Sequence, residues 1–154
     1  MVDETIATGI LIAGHGTRDE TGREQFFVLV RRIAERVGVP VRAGFLELAQ
    51  PDLKTAVAEL LACGVDEIRV LPVMLFAAGH VLEDIPAAVR SALHDLQAEH
   101  VPVRIGRALE TQPALVELSV RRFREALAGG DGVPTFDASR PSSGTWRAEE
   151  TTLV

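Results

Sequence analysis

Cysteine is almost missing from this chain of 154 residues: Cys63 is the only one. A single thiol excludes an intrachain disulfide and any metal cluster built on several cysteines, and it suits a reducing compartment. Long apolar runs are missing too, and none approaches the ~20 residues a membrane span needs. The first residues, "MVDETIATG", are acidic and carry neither the basic segment nor the long apolar segment of a secretory signal. The expected location is therefore cytoplasmic, with no membrane partner. Positive charge is in deficit, with 16 Lys and Arg against 22 Asp and Glu and a net charge of −6. That balance argues against a surface built to coat nucleic acid. What remains is apolar and globular. Hydrophobic residues make up 47% of the chain beside 25% charged ones, enough for one core at about one domain's length.

Four short apolar runs alternate with four stretches of helical period. The runs are "GILIAG" (Gly9–Gly14), "VRAGFLEL" (Val41–Leu48), "EIRVLPVML" (Glu67–Leu75) and "VPVRIGRAL" (Val101–Leu109). The first and third are rich in Ile, Leu and Val with little alternation, as strands buried on both faces are. Between them lie amphipathic stripes: Phe26, Val30, Ile33 and Val37; Leu53, Val57, Leu60 and Leu61; Ile85, Val89, Leu93 and Leu96; and Val116, Val120, Phe123 and Leu127. Pro51 and Asp52 stand at the start of the second helix and Gly64 follows its end. "VGVP" and "EHVP" each close a helix and open a strand, because the residue before proline avoids the helical region. This alternation predicts an α/β fold, a small four-stranded parallel sheet with right-handed crossovers and helices on both faces. The domain is expected to span residues 6–128. Residues 129–154 have the Gly, Ser, Pro and Asp content of a linker or tail. Trp146 lies within that tail, and the closing "EETTLV" has the β-formers of a further strand.

In an open parallel sheet, function collects beyond the carboxyl ends of the strands. His15 follows the first run, Glu47 ends the second, and His80 follows the third in "FAAGHVLED". Two imidazoles and a carboxylate suit a divalent first-row ion. Gly14 and Gly16 flank His15, and Gly79 precedes His80, so the same presentation occurs twice. Glycine serves where backbone bends sharply or something approaches closely. For "AGHG" taken alone, phosphate, metal and a plain loop are all open readings. Neither G-x-x-x-x-G-K-[ST] nor G-x-G-x-x-G is present, and Gly14 stands where a phosphohistidine enzyme of the phosphoglycerate mutase type carries arginine. Those absences rank phosphate below metal. His94 and His100 read as surface or structural residues, and Cys63 as a small core residue.

"LIAGHGTRDE", "GFLELAQPDL" and "VLPVMLFAAGHVLEDIP" resemble the signature segments of the CbiX/SirB group of class II chelatases, over about Ile10 to Leu127. Thr17 replaces the serine of the family's "HGSR" segment and keeps the hydroxyl. The resemblance implies insertion of Co²⁺ or Fe²⁺ into sirohydrochlorin, with Ni²⁺ in a related branch, on the way to cobalamin or sirohaem. It implies that His15 and His80 hold the metal and that Glu47 contributes beside them. The metal is then a substrate, and no tightly bound cofactor is expected. Short members of the group work as homodimers, while long members carry two such halves in one chain. Gly14, Gly16, Gly79 and Arg18 are expected to border the tetrapyrrole, Arg18 facing its carboxylates. The competing expectation is a non-catalytic metal- or tetrapyrrole-binding module, or one half of a larger chelatase.

Overall fold

The computed structural model describes residues 7–129. The tail from 130 onward, with Trp146 and "EETTLV", lies outside the described residues. The chain divides into two units between Glu110 and Thr111.

The first unit holds β1 (Thr8–Gly14), α1 (Glu20–Val37), β2 (Val41–Phe45), α2 (Leu53–Ala62), β3 (Glu67–Pro72), a π-helical turn (His80–Asp84), α3 (Ile85–Asp95) and β4 (Val103–Ile105). All strand pairs are parallel, in the order β2-β1-β3-β4. Leu11 and Ala13 of β1 point to one face, where they join Leu53, Val57 and Leu60 of α2 and Ile85 and Val89 of α3 in the main core. Alternate residues point to the other face, where Phe26 and Phe27 of α1 meet Phe45 with ring centroids 4.7 and 5.7 Å apart. Each crossover is right-handed when α1 lies on one face and α2 and α3 on the other. The second unit contributes α4 (Pro113–Ala128), which begins with proline in its first turn and ends at Gly129 in the left-handed region.

Local signals explain the helix limits. Asp52 caps α2, its carboxylate accepting from Thr55 N at 2.7 Å, and Asp19 caps α1 by accepting from Gly22 N at 2.6 Å. Three strands are shorter than their apolar runs suggest. β2 stops at Phe45 because the chain turns at Leu48, whose φ is 63°. β3 ends at Pro72, which has no N–H to continue a ladder. Among the described residues β4 pairs on one side only and keeps just three residues. The stripe expected on α1 is buried only at Val30, with Phe26 and Ile33 half-buried and Val37 exposed. Cys63 corrects the core expectation. It is exposed at the C-cap of α2, and its sulfur accepts from Arg42 at 3.3 Å.

Candidate functional site

The strand order sets the place. From β1 the chain moves to β2 on one side, then returns past β1 to β3 on the other. The loops after β1 and β3 therefore leave a crevice at the carboxyl ends of adjacent strands, the switch point where ligands bind in open α/β sheets. His15 is the first residue beyond β1, and His80 opens the π-helical turn that follows β3. Their rings meet edge to face, centroids 4.8 Å apart at 79°.

Glu47 reaches the same point from β2. Leu46 N and Glu47 N donate to the carbonyls of Gly14 and His15 at 2.9 and 3.0 Å, so the two segments stay bonded past the formal strand end. The side chain then returns, and Glu47 Oε1 lies 3.1 Å from His15 Nε2. His15 Nδ1 lies 3.3 Å from the Gly16 carbonyl. Just beyond, Ala49 N donates to the Glu47 carbonyl at 2.8 Å, with Leu48 in the left-handed region at the centre of the turn. That conformation is strained in a residue other than glycine, and such strain clusters at functional sites.

The glycines have distinct reasons. Gly16 has φ 105°, and a Cβ there would stand 1.8 Å from the Glu47 carbonyl oxygen. Its bareness therefore lets the β1–α1 loop lie against the backbone that carries Glu47. Gly14 makes room for aromatic packing, since a Cβ would stand 2.8 Å from the Phe26 ring. Gly79 alone faces open space. Arg18 is exposed on the loop after His15 and makes no ion pair among the described residues.

His80 has a carboxylate partner that sequence reasoning missed. Its Nδ1 donates to Asp84 Oδ2 at 2.7 Å, across the π-helical turn. The available signal was the spacing H-x-x-x-D in "HVLED", which brings two side chains together on a helical turn. Leu48, Leu75, Phe76 and Leu82 are exposed on the same loops, Phe76 at 67%. His94 and His100 lie on the surface away from these loops, with His94 Nδ1 donating to Glu99 at 2.8 Å.

Chemically, the arrangement offers a donor nitrogen and a proton-handling pair. A carboxylate only accepts hydrogen bonds, so contact with Asp84 puts the His80 proton on Nδ1 and leaves Nε2 with its lone pair. The donors do not yet surround one point: no three His, Cys, Asp or Glu side chains among the described residues form a closed metal cage. An ion seated here would draw on the Nε2 of either histidine, each bare when its Nδ1 carries the proton, since ligands must be bare of protons.

The fold and site define a small parallel α/β domain that gathers two imidazoles and a carboxylate at its switch point. The chain belongs to the CbiX family, whose model matches residues 9–126. It is 30% identical over 125 residues to a sirohydrochlorin cobaltochelatase of Methanosarcina acetivorans, covering 77% of this chain and 96% of that one. It is 26% identical over 117 residues to a sirohydrochlorin ferrochelatase of Priestia megaterium, covering 75% of this chain but only 43% of that one. In fold it is similar to the sirohydrochlorin chelatase SirB of Bacillus subtilis subspecies spizizenii, solved in complex with cobalt. The TM-score is 0.72 at 23% identity, over 77% of this chain and 50% of that one.

Proposed function

We propose that this chain inserts a divalent metal, Co²⁺ or Fe²⁺, into sirohydrochlorin, the metal entering as a substrate. One observation carries the reading: His15 and His80 meet at 4.8 Å at the switch point, with Glu47 Oε1 3.1 Å from His15 Nε2. Insertion requires an ion held facing the macrocycle and an acceptor for two pyrrole protons. His80 Nε2 supplies the lone pair that holds the ion. The His15–Glu47 pair takes up the two protons one after the other and passes each to solvent, for Glu47 is half-exposed. The exposed Leu75, Phe76 and Leu82 give a flat ring an apolar surface beside these donors. Arg18 is placed to meet the carboxylates at the ring's edge, and Gly79 leaves the approach to His80 open.

The chain works as a homodimer, in which two copies enclose a macrocycle that one open crevice leaves half bare. Residues 6–128 act as the chelatase-like domain, 129–154 as linker or tail. No helix of the described residues is long and apolar enough to cross a membrane, and a cytoplasmic location agrees with the lone thiol.

The test is turnover of sirohydrochlorin with Co²⁺, followed in the visible spectrum against a blank without protein. Wild-type protein accelerates insertion. Replacing His15 and His80 together by alanine lowers the rate by about 10²–10⁴-fold, the contribution of a positioned acid–base group. Glu47→Gln lowers it by roughly 10–100-fold, as the loss of a partner to a ligating histidine does. Undiminished turnover in the double variant overturns the site. Binding of metal and tetrapyrrole without acceleration favours a carrier.

A further inference from the structure

We infer that Asp84 is a positioning residue that fixes the tautomer and direction of His80, and so selects Nε2 as the nitrogen offered to the metal; this rests on the metal-handling role proposed for His80.

Three observations carry it. The His80–Asp84 contact, at 2.7 Å, is the shorter of the two imidazole–carboxylate contacts at the site, against 3.1 Å for His15–Glu47. Both groups belong to one five-residue π-helical turn, in which Ile85 N donates to the His80 carbonyl. Such turns are rare and sit mostly at functional places within helices. The turn is also clamped at both ends. Val81 and Ile85, each one residue after a member of the pair, are 6% and 0% exposed in the core. The backbone under both side chains is thus held by packing, and the pair's geometry follows from that.

Stability does not account for the contact. The two side chains are 47% and 54% exposed, and an ion pair so open to water adds little to folding. What the contact changes is chemistry. A free imidazole carries its proton mostly on Nε2, which would close the outward nitrogen to a metal. Asp84 accepts from Nδ1 and reverses that preference. Ligating histidines are held in this way by an outer carboxylate, which also raises their basicity as ligands.

His15 also turns Nδ1 to an acceptor, the Gly16 carbonyl at 3.3 Å, but only His80 has a carboxylate there. Glu47 engages the Nε2 of His15, whereas Asp84 engages the Nδ1 of His80. The carboxylate thus backs the inner nitrogen of His80, while Glu47 stands beside the outer nitrogen of His15.

The experiment uses the full chain without tetrapyrrole. Two-bond proton–nitrogen correlation spectra in mildly alkaline buffer report the tautomer of each histidine, and His80→Ala assigns the signal. The expected result is an Nδ1–H tautomer at His80 in wild-type protein and Nε2–H in Asp84→Ala. Calorimetric titration with Co²⁺ alone should show about 10–100-fold weaker binding in Asp84→Ala. Asp84→Asn, whose side-chain carbonyl still accepts from Nδ1–H, should recover most of the tautomer and affinity. An Nε2–H tautomer at His80 in the wild type, or an Asp84→Ala variant with unchanged tautomer and Co²⁺ affinity, overturns the inference. Neither readout involves sirohydrochlorin, so a failure of insertion with the tautomer confirmed would count against the chelatase reading and leave Asp84's role standing.

Discussion

Gly16 shows how one missing atom arranges two functional groups. Its φ of 105° and the 1.8 Å between a built Cβ and the Glu47 carbonyl make the loop after β1 and the loop after β2 a single fitted surface. Gly16→Ala is expected to destabilise the protein by on the order of 1–3 kcal/mol through left-handed strain alone. Because the clash falls on the backbone of Glu47, insertion should fall as well, by about as much as in Glu47→Gln. Thermal unfolding and turnover measured on the same preparation check this, and a variant with wild-type turnover would show that the fitted loops are not needed. The residues His15, Glu47 and His80 were legible in the sequence because each follows an apolar run, and strand ends converge. The role of Gly16 was not. Sequence suggests that a glycine beside a histidine clears space for a ligand, whereas here it clears space for the protein's own carbonyl. Cys63 misled for a related reason: its apolar neighbours on α2 turn inward, while its own position at the C-cap turns out toward Arg42.

Among the elements, α2 ties the loop bearing Glu47 to the core, and its N-terminus depends on Asp52. The backbone N–H of Thr55, with its side chain second, holds the Asp52 carboxyl below the usual carboxylate range. A carboxyl depressed in the folded state contributes fully above its unfolded value, ~3.9. The contribution is lost as pH falls through the lower folded value. Asp52→Ala should therefore lower stability by about 1 kcal/mol near neutral pH. Its deficit against the wild type should shrink in acid, while Asp52→Asn, an equally good cap, stays close to the wild type at neutral pH. Denaturant titrations across pH measure these differences, and a deficit independent of pH would remove the ionised cap from the account. This cap was legible, since "PDL" announces a helix start with proline and aspartate together. The strand ends were less so. "VRAGFLEL" and "EIRVLPVML" stay apolar beyond Phe45 and Pro72 because their continuations line the crevice, and apolar composition alone does not separate a strand from the loop extending it. The π-helical turn was invisible for another reason. "HVLEDIPAAV" carries an ordinary helical stripe, so the i,i+4 spacing of His80 and Asp84 was legible, but the extra residue per turn has no compositional mark.

For the whole molecule, the site exists only when the fold does. His15, Glu47 and His80 come from loops after three different strands, and the chain between them passes through α1 and α2. An unfolded chain offers an ion at most scattered donors, so metal binding must favour the native state by mass action. At free Co²⁺ near a hundred times its dissociation constant, the gain is about 2.7 kcal/mol. For a domain of this size that is a rise of several degrees in the unfolding midpoint. Wild-type protein should show that rise with Co²⁺ alone, in the absence of tetrapyrrole. The variant lacking both His15 and His80 should show none, and its midpoint without metal should stay close to the wild type, because both rings are exposed by more than two fifths. The comparison separates the donors from the scaffold. An equal rise in the double variant would place the ion elsewhere on this acidic chain. A collapse of the variant without metal would instead make the two rings structural, contrary to their position at the mouth of the crevice.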